Sequence, residues 1–140
     1  MLQTKEVKAW LSRGYWLRQE KERLERSRRE TYDRLTSITA TGGNGGVSGT
    51  KDPHKFDALA SLDGQLDDCI SAIDAARLEI LTAISAVENP QYRLILYDRY
   101  YDHRKWETIA MKMHYHKRTV EKMHGEALAA IAPIIERLKK

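Results

Sequence analysis

Two kinds of reactive side chain crowd the stretch from residue 103 to residue 124: four of the chain's five histidines and six lysines or arginines. The histidines His103, His114, His116 and His124 invite a metal reading. Transition-metal sites usually add thiolate or carboxylate ligands at close spacing, but Cys69 is the only cysteine and lies far upstream. His114 and His116 flank a turn residue, so their rings diverge. No metal and no other cofactor is expected. No Ser-His-Asp or Cys-His grouping is suggested either, and the carboxylates Asp67, Asp68 and Asp74 suit pairing with arginines of an earlier helix, so no enzymatic activity is expected. The cations carry the stronger signal. Lys117, Arg118 and Lys122 stand beside Glu121, with Arg104 and Lys105 upstream. An arginine fork matches guanine O6 and N7, and a Glu such as Glu121 can accept from cytosine N4. Arg104, Lys105 and the Thr119 hydroxyl suit backbone phosphate. His116 completes the set of candidate duplex contacts.

Such side chains read a groove only when a rigid element presents them together. Residues 105–113 and 117–139 predict two helices joined by a tight turn, preceded by a helix over 90–101. A helix-turn-helix needs a small residue where its second helix crosses the first, and apolar residues on both sides of the turn. Ala110 supplies the small residue. Ile109 and Met113 come from the first helix, Tyr115 from the turn, and Val120 and Met123 from the second. With Val120, Met123, Ala127 and Ile131 facing inward, Lys117, Arg118, Glu121, Lys122 and Gly125 face outward. His114 stands where the turn commonly has Gly, and His tolerates a left-handed backbone better than most residues. Asn89-Pro90 opens this module, with Asn89 as cap and proline at the first helical position.

Upstream, strand signals are almost absent and the expected fold is all-α. A first helix is predicted over residues 4–37, with Trp10, Leu17, Leu24 and Thr31 at seven-residue spacing and Val7, Gly14, Leu35 and Ile38 on or near that stripe. Gly14 should weaken or kink its first turns. Residues 41–50 hold five of the eight glycines and predict a flexible connection. A second long helix is predicted from Pro53, capped by Asp52. Leu59, Leu66, Ile73, Ile80 and Val87 recur every seven residues, with Leu62, Cys69, Ala76 and Ala83 as a companion row widened by Ile70 and Ile84. Residues 1–38 carry ten Lys/Arg against six Asp/Glu, residues 39–89 three against eight, and residues 90–140 eleven against six. A basic first helix against an acidic second one predicts a coiled-coil-like antiparallel hairpin over 1–88, followed by a three-helix DNA-binding domain over 89–140. The second seam could also pair with another copy, giving a homodimer.

Net charge is +4, which permits nucleic-acid binding without demanding it. A single cysteine suits a reducing compartment, no apolar run approaches the roughly 20 residues of a membrane span, and the N-terminus lacks the apolar stretch of a signal peptide. A cytoplasmic protein without membrane contact is expected.

Residues 95–131 resemble the fourth region of bacterial sigma factors, which recognises the promoter -35 element. Arg99-Tyr100, the Trp-Glu-x-Ile-Ala run at 106–110, Arg118-Thr119-Val120 and Ala127-Leu128 carry the likeness. The whole layout, a long helix with Trp and Leu near its start, Ser-Ile-Thr at 37–39, a glycine-rich loop and this module, resembles the RinA/ArpU-type phage late-gene activators. His116 departs from that pattern, standing where a Ser cap is usual. The resemblance implies a sequence-specific double-stranded DNA-binding transcription regulator in the cytoplasm of a bacterial host, with its recognition helix starting near Lys117 and RNA polymerase as a further partner. Two rivals predict different behaviour: a small terminase-like packaging protein would form a ring of many subunits, and a polymerase-binding module would not bind DNA.

Overall fold

The structure, a computed structural model, describes residues 1–41 and 53–140, with side chains described through 37 and from 53 onward. The glycine-rich stretch 41–50, Ile38 and the Asp52 cap lie wholly or largely outside these described parts. Six α-helices and no strand occur among the described residues, as periodic apolar spacing without alternation predicts.

Helix α1 (Thr4–Leu11) is opened by a capping box in which the Gln3 backbone amide donates to Glu6 Oε1 at 3.3 Å. The chain then breaks at Ser12 before α2 (Arg13–Thr41), so the first helix is two helices rather than one over 4–37. The break falls two residues before Gly14, which is buried and helical, and whose missing Cβ faces His103 and Ile80 at 3.9 and 4.0 Å. Helix α3 (Asp57–Ser85) starts four residues later than Pro53, because 53–56 form a turn. Its seam is buried at Leu59, Ile73 and Ile80, with Val87 buried just past its end, and in the companion row at Cys69, Ala76 and Ala83, whereas Leu66 and Leu62 of the two rows are only half-buried. Ile84 is buried with them, but Ile70 is exposed and does not widen the stripe.

The chain forms two compact units, Leu17–Ala72 and the combination of Met1–Trp16 with Ile73–Lys140. Within the first unit, Arg28 pairs with Asp63, and the Cys69 thiol donates to the Leu17 carbonyl at 3.3 Å. Within the second, Arg13 pairs with Glu79 at 3.1 Å. The break at Asn89 therefore does not separate the compact units. The physical reason is that α1 packs on the last helix, α6 (Lys117–Leu138), burying Val7 and Leu11, and the Met1 amino group pairs with Glu136 at 3.1 Å.

Asn89 caps α4 (Pro90–Leu96) by accepting from the Gln91 and Tyr92 amides, with proline at the start. The helix does not continue as α to Tyr101: residues Tyr97–Tyr101 form a π turn. The wider turn admits an extra residue per coil and re-aims side chains, and here it sends Asp98 and Tyr100 inward. Helix α5 (Trp106–Met113) follows, and α4, α5 and the first half of α6 close on a core of Ile95, Ile109, Ala110 and Val120, flanked by Trp106, Met113 and Met123. Burying a residue such as Val120 completely stabilises the fold by about 1.5–3 kcal/mol. No helix among the described residues is long and apolar enough to cross a membrane.

Candidate nucleic-acid interface

The turn between α5 and α6 is built by backbone chemistry that the sequence states openly. His114 adopts φ 61° and ψ 35°, a left-handed cap whose amide closes back on Ala110 and Met111. The Tyr115 amide donates to the Ala110 carbonyl at 3.1 Å. Such a cap satisfies orphan carbonyls at the helix end, and histidine occupies it at modest cost. His116 is the cap of α6, extended at φ -65° and ψ 148°, with no side-chain hydrogen bond. The missing Ser cap thus leaves early α6 amides without a side-chain acceptor, and no acidic residue lies in that first turn.

Tyr115 is corrected by the structure. It does not fill the angle between the helices but stays exposed, its hydroxyl accepting from Gln91 Nε2 at 3.0 Å. Ile95 and Trp106 take that place. Behind the face, Val120, Ala127 and Ile131 are buried and Met123 half-buried. Lys117, Arg118, Thr119, Glu121, Lys122 and Gly125 are all exposed, so α6 holds its polar side clear of its own core.

The cations on this side differ in their commitments. The Lys117 ammonium pairs with Glu107 of α5 at 3.0 Å. That hydrogen bond raises the Lys117 pKa, while Glu107 lies below the usual carboxylate range, held there first by its own backbone amide and then by Lys117. Arg118 and Lys122 make no ion pair among the described residues. Lys105 caps α5 with its backbone alone, is also exposed, and makes no ion pair among the described residues. Arg104 is more engaged than expected. Its Nε lies 3.8 Å from Asp102 and 4.0 Å from Asp98, and its amide donates to the Asp98 carbonyl at 2.8 Å.

Asp98 escaped sequence reasoning. Its side chain is 1% exposed, and Lys112 Nζ reaches its two oxygens at 3.2 and 3.1 Å. It ties the π turn, the 102–105 connection and α5 together, fixing where Arg104 and Lys105 sit. The only signal available was an Asp spaced fourteen residues from a Lys, which no local rule distinguishes from a surface pair. His124 also proves structural. Its Nε2 lies 2.7 Å from the Tyr100 hydroxyl, Trp106 meets its ring edge-on at 4.5 Å, and burial, aided by Lys8 and Arg99, lowers its pKa to about 4. No group of three or more His, Cys, Asp or Glu placed to hold a metal occurs among the described residues.

The arrangement offers a helix with two cations that make no ion pair among the described residues, a carboxylate and a hydroxyl on one exposed side, beside the amides of its N-terminal turn. No family model, curated protein or solved structure matches the chain.

Proposed function

We propose that the chain is a sequence-specific double-stranded DNA-binding transcription regulator of the phage late-gene activator kind. In this reading α5, the turn at 114–116 and α6 form a helix-turn-helix, and α6 enters the major groove from Lys117 onward. Helices α2 and α3 form an antiparallel hairpin serving as spacer, dimerisation element or RNA polymerase contact. One observation carries the reading: Arg118 and Lys122 stand exposed, with no ion pair among the described residues, in the N-terminal turns of a helix whose opposite side is anchored by fully buried Val120. Lys117 and Arg118, the two cations of the first turn of α6, oppose the helix dipole, and a bound phosphate or guanine edge removes that conflict.

Arg118 is assigned to base reading and Lys105 to phosphate, with Arg104, His116, Thr119, Glu121 and Lys122 contributing around them and Lys117 joining once it leaves Glu107. Selection of bound sequences from a random duplex pool, followed by gel shift of the selected site, tests this. Arg118→Ala should lose discrimination at one G·C position by about 1–3 kcal/mol. Lys105→Ala should weaken all duplexes alike and flatten the salt dependence by about one unit of slope. An unselected pool, or an Arg118→Ala footprint identical to the parent's, overturns the reading.

A further inference from the structure

A cleft of about 580 Å³ opens in the unit that contains α6, sharing only Lys105 with the residues assigned to duplex contact. Its wall is made by α1 and the start of α2, by the π turn and the connection after it, and by the first turn of α5, with His124 at its floor. That volume lies within the range of small-ligand sites. Three cations line it (Lys8, Arg99 and Lys105) and, among the described residues, no carboxylate does. Lys8 and Lys105 have no ion-pair partner among the described residues. The Arg99 guanidinium is held in place by donating to the Arg104 carbonyl at 3.1 Å and by lying over the Trp106 ring at 4.7 Å.

Aromatic surface completes the lining. Trp16 is 66% exposed and Tyr15 41%, the two rings meeting edge-on at 5.0 Å. Leaving a tryptophan that open forgoes burial that the fold elsewhere exploits. The floor is uncharged: the Tyr100 hydroxyl and His124 hold each other by a hydrogen bond, and burial keeps one protonated and the other neutral at pH 7. His103 sits at φ 58°, a left-handed conformation found mainly at turns and ligand-clamping positions.

We propose that this cleft binds a nucleoside monophosphate, its phosphate between Lys8 and Lys105 and its base stacked on the open Trp16 indole. A flat ring with a compact anion at one end matches an uncompensated positive wall beside an open indole face, since base–aromatic stacking is indifferent to base identity and lysine serves as a point charge for phosphate. Lys105 is shared with the proposed duplex contact, whereas Lys8 and Trp16 are not, so variants at those two test the cleft separately from duplex binding.

Titration of the full chain with AMP, GMP, adenosine and inorganic phosphate, followed by tryptophan fluorescence and indole NMR shifts, tests it. AMP and GMP should bind saturably and move the Trp16 and Trp106 indole signals, with adenosine and inorganic phosphate each at least about tenfold weaker. Lys8→Ala and Trp16→Ala should each weaken AMP about tenfold or more at unchanged circular dichroism, whereas Arg118→Ala should leave AMP binding intact while losing duplex preference. Absence of saturable AMP and GMP binding, equal binding of adenosine, insensitivity to both cleft variants, or loss of AMP binding in Arg118→Ala overturns the assignment. If either cleft variant fails to fold, Lys8→Met and Trp16→Phe replace them: the first should lose AMP affinity and the second retain part of it.

Discussion

The buried carboxylate of Asp98 makes the sharpest test of how the exposed face is held. Lys112→Met keeps the aliphatic stem and removes the ammonium that sits 3.1 and 3.2 Å from the two Asp98 oxygens. Breaking a buried pair from one side typically costs about 3–5 kcal/mol, because the remaining charge stays out of water. Two features of this site reduce that figure. The Lys112 side chain is 48% exposed, so water already screens the pair, and Arg104 remains 4.0 Å away to compensate part of the charge. About 2 kcal/mol is expected, which for a chain of this size lowers Tm by roughly 6–8 °C. The double variant Asp98→Asn/Lys112→Met should recover more than half of the loss, because the uncompensated charge is gone and the Asp98 backbone carbonyl still accepts from Arg104. Thermal and urea unfolding of the parent, both single variants and the double variant form a complete cycle. A Lys112→Met loss below about 0.5 kcal/mol, or strictly additive singles, would refute the claim that Asp98 is a desolvated charge organising the π turn.

Two further outcomes follow from the same geometry. If the chain binds duplex as proposed, Glu107→Gln should release Lys117 toward it, steepening the log-log salt dependence of binding by about one unit; a gel-shift series across salt concentrations reads this, and an unchanged slope shows that Lys117 does not reach phosphate. His124 ionises near pH 4 in the fold against 6.5 ordinarily, so the unfolded chain takes up the proton first as pH falls. Its contribution is fully present above about pH 6.5 and is lost toward pH 4, by about 3 kcal/mol in all. Denaturation at stepped pH should show that slope in the parent and lose it in His124→Gln; an equal slope in both assigns acid sensitivity to other groups.

Features governed by a few neighbouring residues were legible in the sequence. Asn89-Pro90 opens α4 because a side-chain cap and a preset φ act within three residues, and His114 turns left-handed because the short α5–α6 link demands it. The buried seam of α3 and the inward row Val120, Ala127, Ile131 follow from helical spacing, which needs only that one side meet a neighbour.

What tertiary structure decided lies beyond the reach of those rules. Spacing could not reveal that α1 covers α6, since the two are more than a hundred residues apart in sequence and their union depends on which surface happens to be available. Ile70 and Tyr115 had the right residue type for burial, yet each is about two-fifths exposed. Asp98 and His124, polar and unremarkable in sequence, became buried because a π turn shifted one inward and Tyr100 and Trp106 closed over the other. The division of labour among the cations is of the same origin: Lys117 and Lys112 are held by carboxylates fourteen residues or fewer away across a turn, and Arg118 and Lys122 are left open to solvent. Burial and charge pairing are sums over everything that surrounds a side chain, and only the folded chain brings those surroundings together.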